Sequence, residues 1–234
     1  KFLSLFSDVT VTQTSIIYPL IFFTLTMLTF FFLVRKLFDL KVALLATAFL
    51  SVAPTFLFRT SAGFVDKEPL GIFLFFLSFY LFVTAWQEKR VKFYVAYSLL
   101  AGIATAILGL AWGGFDFVLL IIPSFVLLSA FLDKGKGAKK DFAIYTLWYA
   151  AIVVILKLFT TKYGIGLKFF FETQGLIVST FVFLFFLIHI LLTVFLKDKL
   201  KFEKLPLPVI SFVIAVLFGI IFASVIGFIA GFDF

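Results

Sequence analysis

The sequence predicts an all-α, polytopic membrane bundle of about eight transmembrane helices. The chain of 234 residues is 64% hydrophobic, and phenylalanine alone supplies 39 residues. Ordinary soluble domains are only about 45–50% apolar. Several apolar runs reach the ~20 residues that an α-helix needs to cross the hydrocarbon core of a bilayer. These runs are continuous and do not alternate with polar residues, which excludes a transmembrane β-barrel.

Polar interruptions divide the apolar sequence into eight predicted spans. Residues 1–15 are rich in serine and threonine and are predicted to be the tail of an extracytoplasmic loop, so that the helical membrane domain covers 16–234. The fourth span is rich in alanine and glycine, which let helices approach closely, and it is therefore expected at the centre of the bundle. The predicted spans are residues 16–34, 41–58, 69–86, 93–110, 115–132, 142–159, 175–196 and 205–230.

The basic residues predict how the bundle is oriented. Fourteen of the 20 lysines and arginines fall in four turns that alternate along the chain and so share one end of the bundle. The positive-inside rule places that end in the cytoplasm, with both termini outside. Topology thus explains the net charge of +8, and no nucleic-acid partner is expected. The four turns contain Arg35, Lys36, Lys41; Lys89, Arg90, Lys92; Lys134, Lys136, Lys139, Lys140; and Lys197, Lys199, Lys201, Lys204.

The outer end collects carboxylates instead. Six acidic residues fall there against five basic ones, if Lys157, which lies inside a span, is left out. Mg²⁺ and Mn²⁺ prefer oxygen ligands, and proteins usually supply only a few of them. The outer end is therefore a candidate site for a divalent cation. Its acidic residues are Asp8, Asp66, Glu68, Asp116, Glu172 and Asp233.

The densest polar segment is the loop of residues 59–68, here called the polar loop. It lies between two apolar runs and holds an arginine, a lysine and two carboxylates. Ionisable groups at the mouth of a membrane bundle are costly to place, so a functional role is the default interpretation. The spacing of Asp66 and Glu68 can aim two oxygen donors at one cation. The alternative is a solvated loop between two spans.

Residues 44–71 resemble the catalytic subunit of oligosaccharyltransferase. In that family, a helix that ends in a proline-containing turn is followed by the motif Arg-Ser-x-Ala-Gly-x-x-Asp-x-Glu. Residues Arg59, Ala62, Gly63, Asp66 and Glu68 fall in register with this motif. The Asp-Lys-Glu version is most similar to the archaeal, AglB-type members.

Two further segments carry the resemblance. Residues 112–115 read Trp-Gly-Gly-Phe and are similar to the family's Trp-Gly-Gly-Tyr at the outer end of a helix. A less specific match covers residues 164–189, with Glu172 near the start of a helix. The resemblance extends over nearly the whole chain in topology, and it implies a partial GT-C-type glycosyltransferase membrane domain.

The resemblance implies a specific activity. Family members transfer a lipid-linked oligosaccharide, carried on a dolichyl or polyprenyl phosphate, to the asparagine of Asn-x-Ser/Thr sequons. They act on the extracytoplasmic side of the cell membrane, or of the endoplasmic reticulum membrane in eukaryotes, and they need Mg²⁺ or Mn²⁺. By this resemblance, Asp66 and Glu68 are metal ligands, and Arg59 lies beside the metal or the phosphates.

The chain also departs from the family pattern. The family's first acidic motif precedes the first span seen here, so that only its tail, with Asp8, remains. An external loop with a catalytic glutamate would follow the eighth span, and the C-terminal soluble domain with its Trp-Trp-Asp-Tyr-Gly motif is absent. The expected result is a middle segment of a larger enzyme that is inactive by itself.

Four other residues are candidates for substrate binding, and each has a simpler alternative. Glu172 is a candidate for lining the acceptor or metal region. Asp116 is a carboxylate that supports the site or an ordinary interfacial residue. Trp112 is also predicted as an interface anchor or packing residue, and Lys157 can extend to the membrane surface. His189 is interpreted as a helix-to-helix hydrogen bonder rather than a metal ligand.

Other classes of protein remain as alternatives to the oligosaccharyltransferase hypothesis. Another polyprenyl-phosphate-dependent glycosyltransferase would share the membrane topology and an outer acidic loop. A transporter is disfavoured because the sequence shows no repeated halves and no matching pair of interrupted helices. A membrane scaffold would have no reason to gather Arg59, Asp66 and Glu68 in one loop.

Overall fold

The computed structural model describes residues 11–63, 66–132, 137–164, 166–196 and 207–230. This part of the chain is helical throughout, with short connections between the helices. A 3₁₀ helix, Gly166–Phe171, interrupts the longest described connection. The α-helices are α1 (Val11–Leu37), α2 (Leu40–Val52), α3 (Pro54–Thr60), α4 (Glu68–Gln87), α5 (Val91–Ala111), α6 (Phe115–Leu132), α7 (Ala138–Phe159), α8 (Gln174–Leu196) and α9 (Leu207–Ala230).

The predicted membrane architecture is confirmed, although the count of eight spans is not. Among the described residues, six helices (α1 and α4 to α8) are long and apolar enough to cross a bilayer, and α2 with α3 makes a seventh if that bent pair is one span. The side chains of α9 are described only over Leu207–Ile221, and this apolar segment is shorter. Helix α1 begins at Val11, five residues before the predicted span, so the end of the predicted loop is helical.

The predicted second span, 41–58, is not one helix. Helices α2 and α3 meet at an angle of 65°, and Ala53 between them has extended backbone angles. Proline has no N–H for the helical ladder, and it disfavours the helical conformation of the residue before it. Pro54 therefore ends α2 and begins α3 in a new direction, which turns the polar end of α3 toward α1 and α4.

Helix α5 is central, as its small residues predict. It packs against α4 on one side and α7 on the other. A Cβ atom on Gly102 would lie 2.4 Å from the backbone oxygen of Trp148, so the two helices touch at their backbones. Trp148 is fully buried, and its indole N–H donates to Thr105 Oγ1 of α5 at 3.2 Å. The glycine and the tryptophan together fix the α5–α7 contact.

Hydrogen bonds from polar side chains join α6, α7, α8 and α9. The Tyr145 hydroxyl donates to the backbone oxygen of Ser179 at 2.8 Å, and the Ser179 hydroxyl donates to the backbone oxygen of Leu119 at 3.0 Å. His189 Nδ1 lies 3.0 Å from Ser211 Oγ, which ties α8 to α9. Buried polar groups need such partners inside a bilayer. The interpretation of His189 as a helix-to-helix hydrogen bonder is confirmed.

Three of the basic turns meet at one end of the bundle. Lys140 Nζ donates to the backbone oxygen of Trp86 at 2.7 Å, and Gln87 Nε2 donates to that of Lys36 at 3.4 Å. These bonds connect the turns that follow α1 and α4 with the start of α7. The fourth basic turn, 197–204, and Lys134 and Lys136 of the third lie outside the described residues.

Candidate active site at the polar end of the bundle

The polar loop brings Arg59 and Glu68 into contact. Arg59 lies in the last turn of α3, and Glu68 is the first residue of α4. Arg59 Nη1 forms an ion pair with Glu68 Oε2, and their side chains are 40% and 16% exposed. Glu68 also lies in the first turn of α4, where the helix dipole favours a negative charge. The loop therefore holds one carboxylate and one guanidinium in a partly shielded pair.

Asp66 lies two residues before Glu68, on the exposed surface of the loop. Its Oδ1 accepts a hydrogen bond from the backbone N–H of Lys67 at 2.6 Å. Within the described part of the chain, no three histidine, cysteine, aspartate or glutamate residues form a group that could hold a metal ion. Two carboxylates of the polar loop thus offer oxygen donors for a hard cation, and their convergence on one cation stays a prediction.

Helix α1 forms a second wall of this site, which the sequence analysis did not predict. The Tyr18 hydroxyl lies against the backbone of Leu70 and within electrostatic reach of Asp66. The N–H of Gly63 donates to the backbone oxygen of Ser15 at 3.3 Å. Gly63 has a φ of +88°, a backbone angle that residues other than glycine rarely adopt. The only sequence signal was a tyrosine near the outer end of the first span.

The corner between α5 and α6 lies next to the polar loop. Trp112 is the C-cap residue of α5, and its ring packs against two glycines, Gly71 and Gly114. A Cβ atom on Gly71 of α4 would lie 2.9 Å from Trp112 Cε3, and one on Gly114 would lie 2.3 Å from Cζ3. The packing role predicted for Trp112 is confirmed.

Asp116 connects the same corner to α8. Its Oδ1 accepts hydrogen bonds from the Thr173 hydroxyl at 2.6 Å and from the Gly175 N–H at 3.1 Å. Thr173 Oγ1 in turn accepts from the N–H of Leu176 at 3.2 Å. A side chain on Gly175 would collide with Asp116, because its Cβ would lie 2.4 Å from Oδ1. Asp116 therefore caps the amino end of a neighbouring helix.

The remaining candidates lie on the α7–α8 side of the corner. Glu172 is exposed and lies beside Gly164, whose Cβ position would be 3.3 Å from Glu172 Oε2. Lys157, in the last turn of α7, places Nζ 4.6 Å from the centre of the Phe170 ring, which gives its charge an aromatic partner. The structure thus groups these residues with the loop before α8 rather than with the polar loop.

Tyr163 was missed by the sequence analysis and joins this loop to the corner. Its hydroxyl donates to the backbone oxygen of Gly109 at 2.6 Å, and its ring lies 5.0 Å from that of Phe115. Burial, together with the nearby charge of Asp116, raises the pKa of Tyr163 to about 12. The hydroxyl is therefore a neutral hydrogen-bond donor over the ordinary range of pH.

The fold and the site define a multi-pass helical membrane protein with a charged loop at one end and a Trp-Gly-Gly corner beside it. The sequence profile of the family described as oligosaccharyl transferase STT3, N-terminal, matches residues 1–232. The chain belongs to that family, which confirms the family resemblance.

Curated relatives match about half of the chain. It is 31% identical over 115 residues to a dolichyl-diphosphooligosaccharide–protein glycosyltransferase subunit STT3B of rice, which covers 49% of this chain and 15% of the relative. It is 28% identical over 116 residues to the STT3 subunit of Saccharomyces cerevisiae, covering 50% and 15%. The chain thus matches only a small part of these relatives, which are eukaryotic, and the archaeal subtype stays a prediction.

Solved structures show the same fold. The oligosaccharyltransferase of Archaeoglobus fulgidus in complex with Zn and sulfate aligns with a TM-score of 0.70 and 20% identity, over 97% of this chain and 30% of that one. AglB from the same organism, in complex with an inhibitory peptide and a dolichol-phosphate, aligns with a TM-score of 0.69 and 20% identity, over 94% and 27%.

Proposed function

We propose that this chain forms part of the membrane domain of an oligosaccharyltransferase. The enzyme transfers a lipid-linked oligosaccharide to the asparagine of Asn-x-Ser/Thr sequons on the extracytoplasmic side. The observation that carries the proposal is the polar loop, in which Arg59 forms an ion pair with Glu68, two residues after the exposed Asp66. Three of the basic turns meet at the opposite end of the bundle, which favours an extracytoplasmic location of the loop.

A divalent cation fits the chemistry of this loop. Mg²⁺ and Mn²⁺ sites often use one or two carboxylates together with phosphate oxygens of the substrate, and Asp66 and Glu68 would supply the carboxylates. When bound, the cation would stabilise negative charge on the departing lipid pyrophosphate. The complex of the A. fulgidus enzyme with Zn and sulfate supports a cation partner.

Arg59 has a planar guanidinium that suits phosphate oxygens. It forms an ion pair with Glu68, so that the partly buried carboxylate is not left as an uncompensated charge. In the complete site, we propose that Arg59 would bind the phosphates of the donor. The dolichol-phosphate bound to AglB supports a lipid-linked donor of this type, and the inhibitory peptide supports a peptide acceptor.

The other candidates divide into two groups. Glu172 and Lys157 remain proposed substrate contacts, because both are exposed on the side of the bundle that carries the loop before α8. Asp116 and Trp112 are assigned to packing rather than to substrate contact, since each contacts backbone or side-chain atoms of a neighbouring helix. We assign the protein to the cell membrane, or to the endoplasmic reticulum membrane if the source is eukaryotic.

The test is a transfer assay on the full natural protein in liposomes. It uses a lipid-linked oligosaccharide, a fluorescent peptide with an Asn-x-Thr sequon, and a control peptide with glutamine in place of asparagine. We expect glycopeptide only from the first peptide, loss of transfer with EDTA, and recovery with Mn²⁺. The 234-residue chain alone should give no product.

Three outcomes would each contradict a part of the proposal. Transfer of the glycan to a lipid or another acceptor, with no glycopeptide, would favour a different polyprenyl-phosphate-dependent glycosyltransferase. Glycopeptide formation that persists after complete removal of divalent cations would remove the proposed role of Asp66 and Glu68. Product formed by the isolated 234 residues would overturn the requirement for further parts of the enzyme.

A further inference from the structure

The Trp112 ring is in contact with the first turn of α4, which also carries Glu68. A Cβ atom on Gly71 would lie 2.9 Å from Cε3, 3.0 Å from Cδ2 and 3.1 Å from Cβ of Trp112. Real Cβ atoms essentially never come closer than 3.0 Å to a non-bonded heavy atom. Glycine at position 71 therefore leaves room for the tryptophan ring to lie directly against this helix.

The contact lies one helical turn from the carboxylates of the polar loop. The N–H of Gly71 donates to the backbone oxygen of Lys67 at 2.9 Å, which is the first hydrogen bond of the α4 ladder. Residues three apart share a helix face, so Gly71 lies on the same face as Glu68. Lys67, which separates Asp66 from Glu68, is thus fixed through the residue on which Trp112 packs.

The Trp112 ring is itself held from the opposite side. A Cβ atom on Gly114 would lie 2.3–2.6 Å from three atoms of the ring, so the ring sits between Gly71 and Gly114. The corner that carries it is anchored by Asp116, which binds Thr173 and Gly175. The α5–α6 corner therefore fixes the position of the Trp112 ring, and the ring in turn fixes the position of the first turn of α4.

We propose that Trp112 is a positioning residue for the carboxylates of the polar loop, and that it acts by seating the first turn of α4 through Gly71. It does not contact the substrate. This inference rests on the proposed function, since it gives the Trp-Gly-Gly corner a role in forming the cation site. Adding a side chain at Gly71 or removing the Trp112 ring therefore shifts Glu68 and Lys67 and weakens cation binding.

The chain offers a matched pair of glycine variants. Gly71→Ala places a methyl group against the Trp112 ring. Gly113→Ala adds the same methyl group in the same corner, where a Cβ atom meets nothing within 4 Å. Trp112→Leu removes the ring, and the double variant Gly71→Ala/Trp112→Leu provides room for the new methyl group. The four variants and the wild type are made in the full natural protein.

The first measurement is independent of any activity. Hydrogen–deuterium exchange reports the opening of the amides at the start of α4. We expect roughly tenfold faster exchange there in Gly71→Ala, the scale of an overpacked contact, and less than about twofold change in Gly113→Ala. If Gly71 and Trp112 are in direct contact, the effects of the two single substitutions should not add. We therefore expect the double variant to exchange more slowly than the sum of the two single effects predicts.

The second measurement is the affinity for Mn²⁺, followed by the electron paramagnetic resonance signal of the free ion. We expect Gly71→Ala to lower the affinity roughly tenfold, Gly113→Ala to leave it unchanged, and the double variant to recover most of the loss. A structural contact without a positioning role would alter the exchange and leave the Mn²⁺ affinity as in the wild type.

The outcomes separate this inference from the proposed function. Equal exchange in Gly71→Ala and Gly113→Ala, or strictly additive effects in the double variant, would overturn the seating contact. Altered exchange with unaltered Mn²⁺ affinity would overturn the positioning role. A wild-type protein that binds no Mn²⁺ would contradict the proposed metal site, and with it the role of Trp112 in that site. In that case the exchange data would still show whether Trp112 packs against Gly71.

Discussion

Replacement of Asp116 by alanine should destabilise the bundle more than the loss of an ordinary helix cap. The carboxylate of Asp116 belongs to α6 and accepts two hydrogen bonds at the start of α8, from the Thr173 hydroxyl and the Gly175 N–H. The change removes both bonds and leaves two half-buried donors without their acceptor. The junction between α6 and α8 would open at its outer end.

The structure sets the scale of this loss. A hydrogen bond to a charged group contributes about 1.5–3 kcal/mol, and an unsatisfied partner adds a desolvation cost. After allowance for partial exposure, we expect Asp116→Ala to lower the free energy of unfolding by about 2–4 kcal/mol. Asp116→Asn keeps the accepting oxygen and loses the charge, for which we expect a loss of about 1 kcal/mol.

Asp39 is the matched control, because it caps the helix that follows it directly in the chain and does not join two distant helices. Its Oδ1 accepts only the Val42 N–H, at 2.8 Å and on an exposed surface. Asp39→Ala should therefore cost about 0.5–1 kcal/mol. The assay is equilibrium unfolding in mixed micelles of dodecylmaltoside and SDS, followed by circular dichroism. A loss for Asp116→Ala no larger than that for Asp39→Ala would refute the assignment of Asp116 as a cap between helices.

Three further predictions follow from single contacts. Arg59→Gln should raise the Mn²⁺ affinity of the natural protein roughly tenfold, because Glu68 loses its competing guanidinium; a lower affinity in Mn²⁺ titrations would contradict this. Burial of Tyr163 raises its pKa from 10.0 to about 12, so the unfolded chain loses this proton first and stability falls as the pH rises through that interval. Tyr163→Phe should flatten this part of the unfolding profile, and parallel curves would refute the assignment. A double-mutant cycle of His189→Ala and Ser211→Ala should give a coupling of about 0.6 kcal/mol, and zero coupling in unfolding assays would exclude a contribution of this bond to stability.

The membrane class and the position of the polar loop follow directly from the sequence. Long continuous apolar runs cross a bilayer as helices, because a helix satisfies its own backbone hydrogen bonds, and charged residues interrupt the runs where the helices end. The predicted second span ran through Pro54 as one helix, because the apolar pattern continues to Phe58, although the family resemblance includes a proline-containing turn before the polar motif. A proline in such a pattern either kinks a span or ends it, and packing against neighbouring helices decides between the two.

Contacts between distant segments explain what the sequence analysis missed at the site. Tyr18 and Asp66 are far apart in sequence, and no local pattern connects the start of α1 with the polar loop. Asp116 was recognised as an acid of the outer end, but its role depends on Gly175, which leaves room for the carboxylate. Such pairs depend on how helices pack rather than on periodicity or composition.

The most direct test of the proposed site is glycopeptide formation by the full natural protein after substitution of one loop carboxylate. We expect Asp66→Asn to lower the rate of transfer by at least about 100-fold, the scale for loss of a group that stabilises developing charge. Asp39→Asn, at the opposite end of the bundle, should retain the wild-type rate. Full transfer by Asp66→Asn, with Mn²⁺ dependence unchanged, would contradict the assignment of the polar loop as part of the active site.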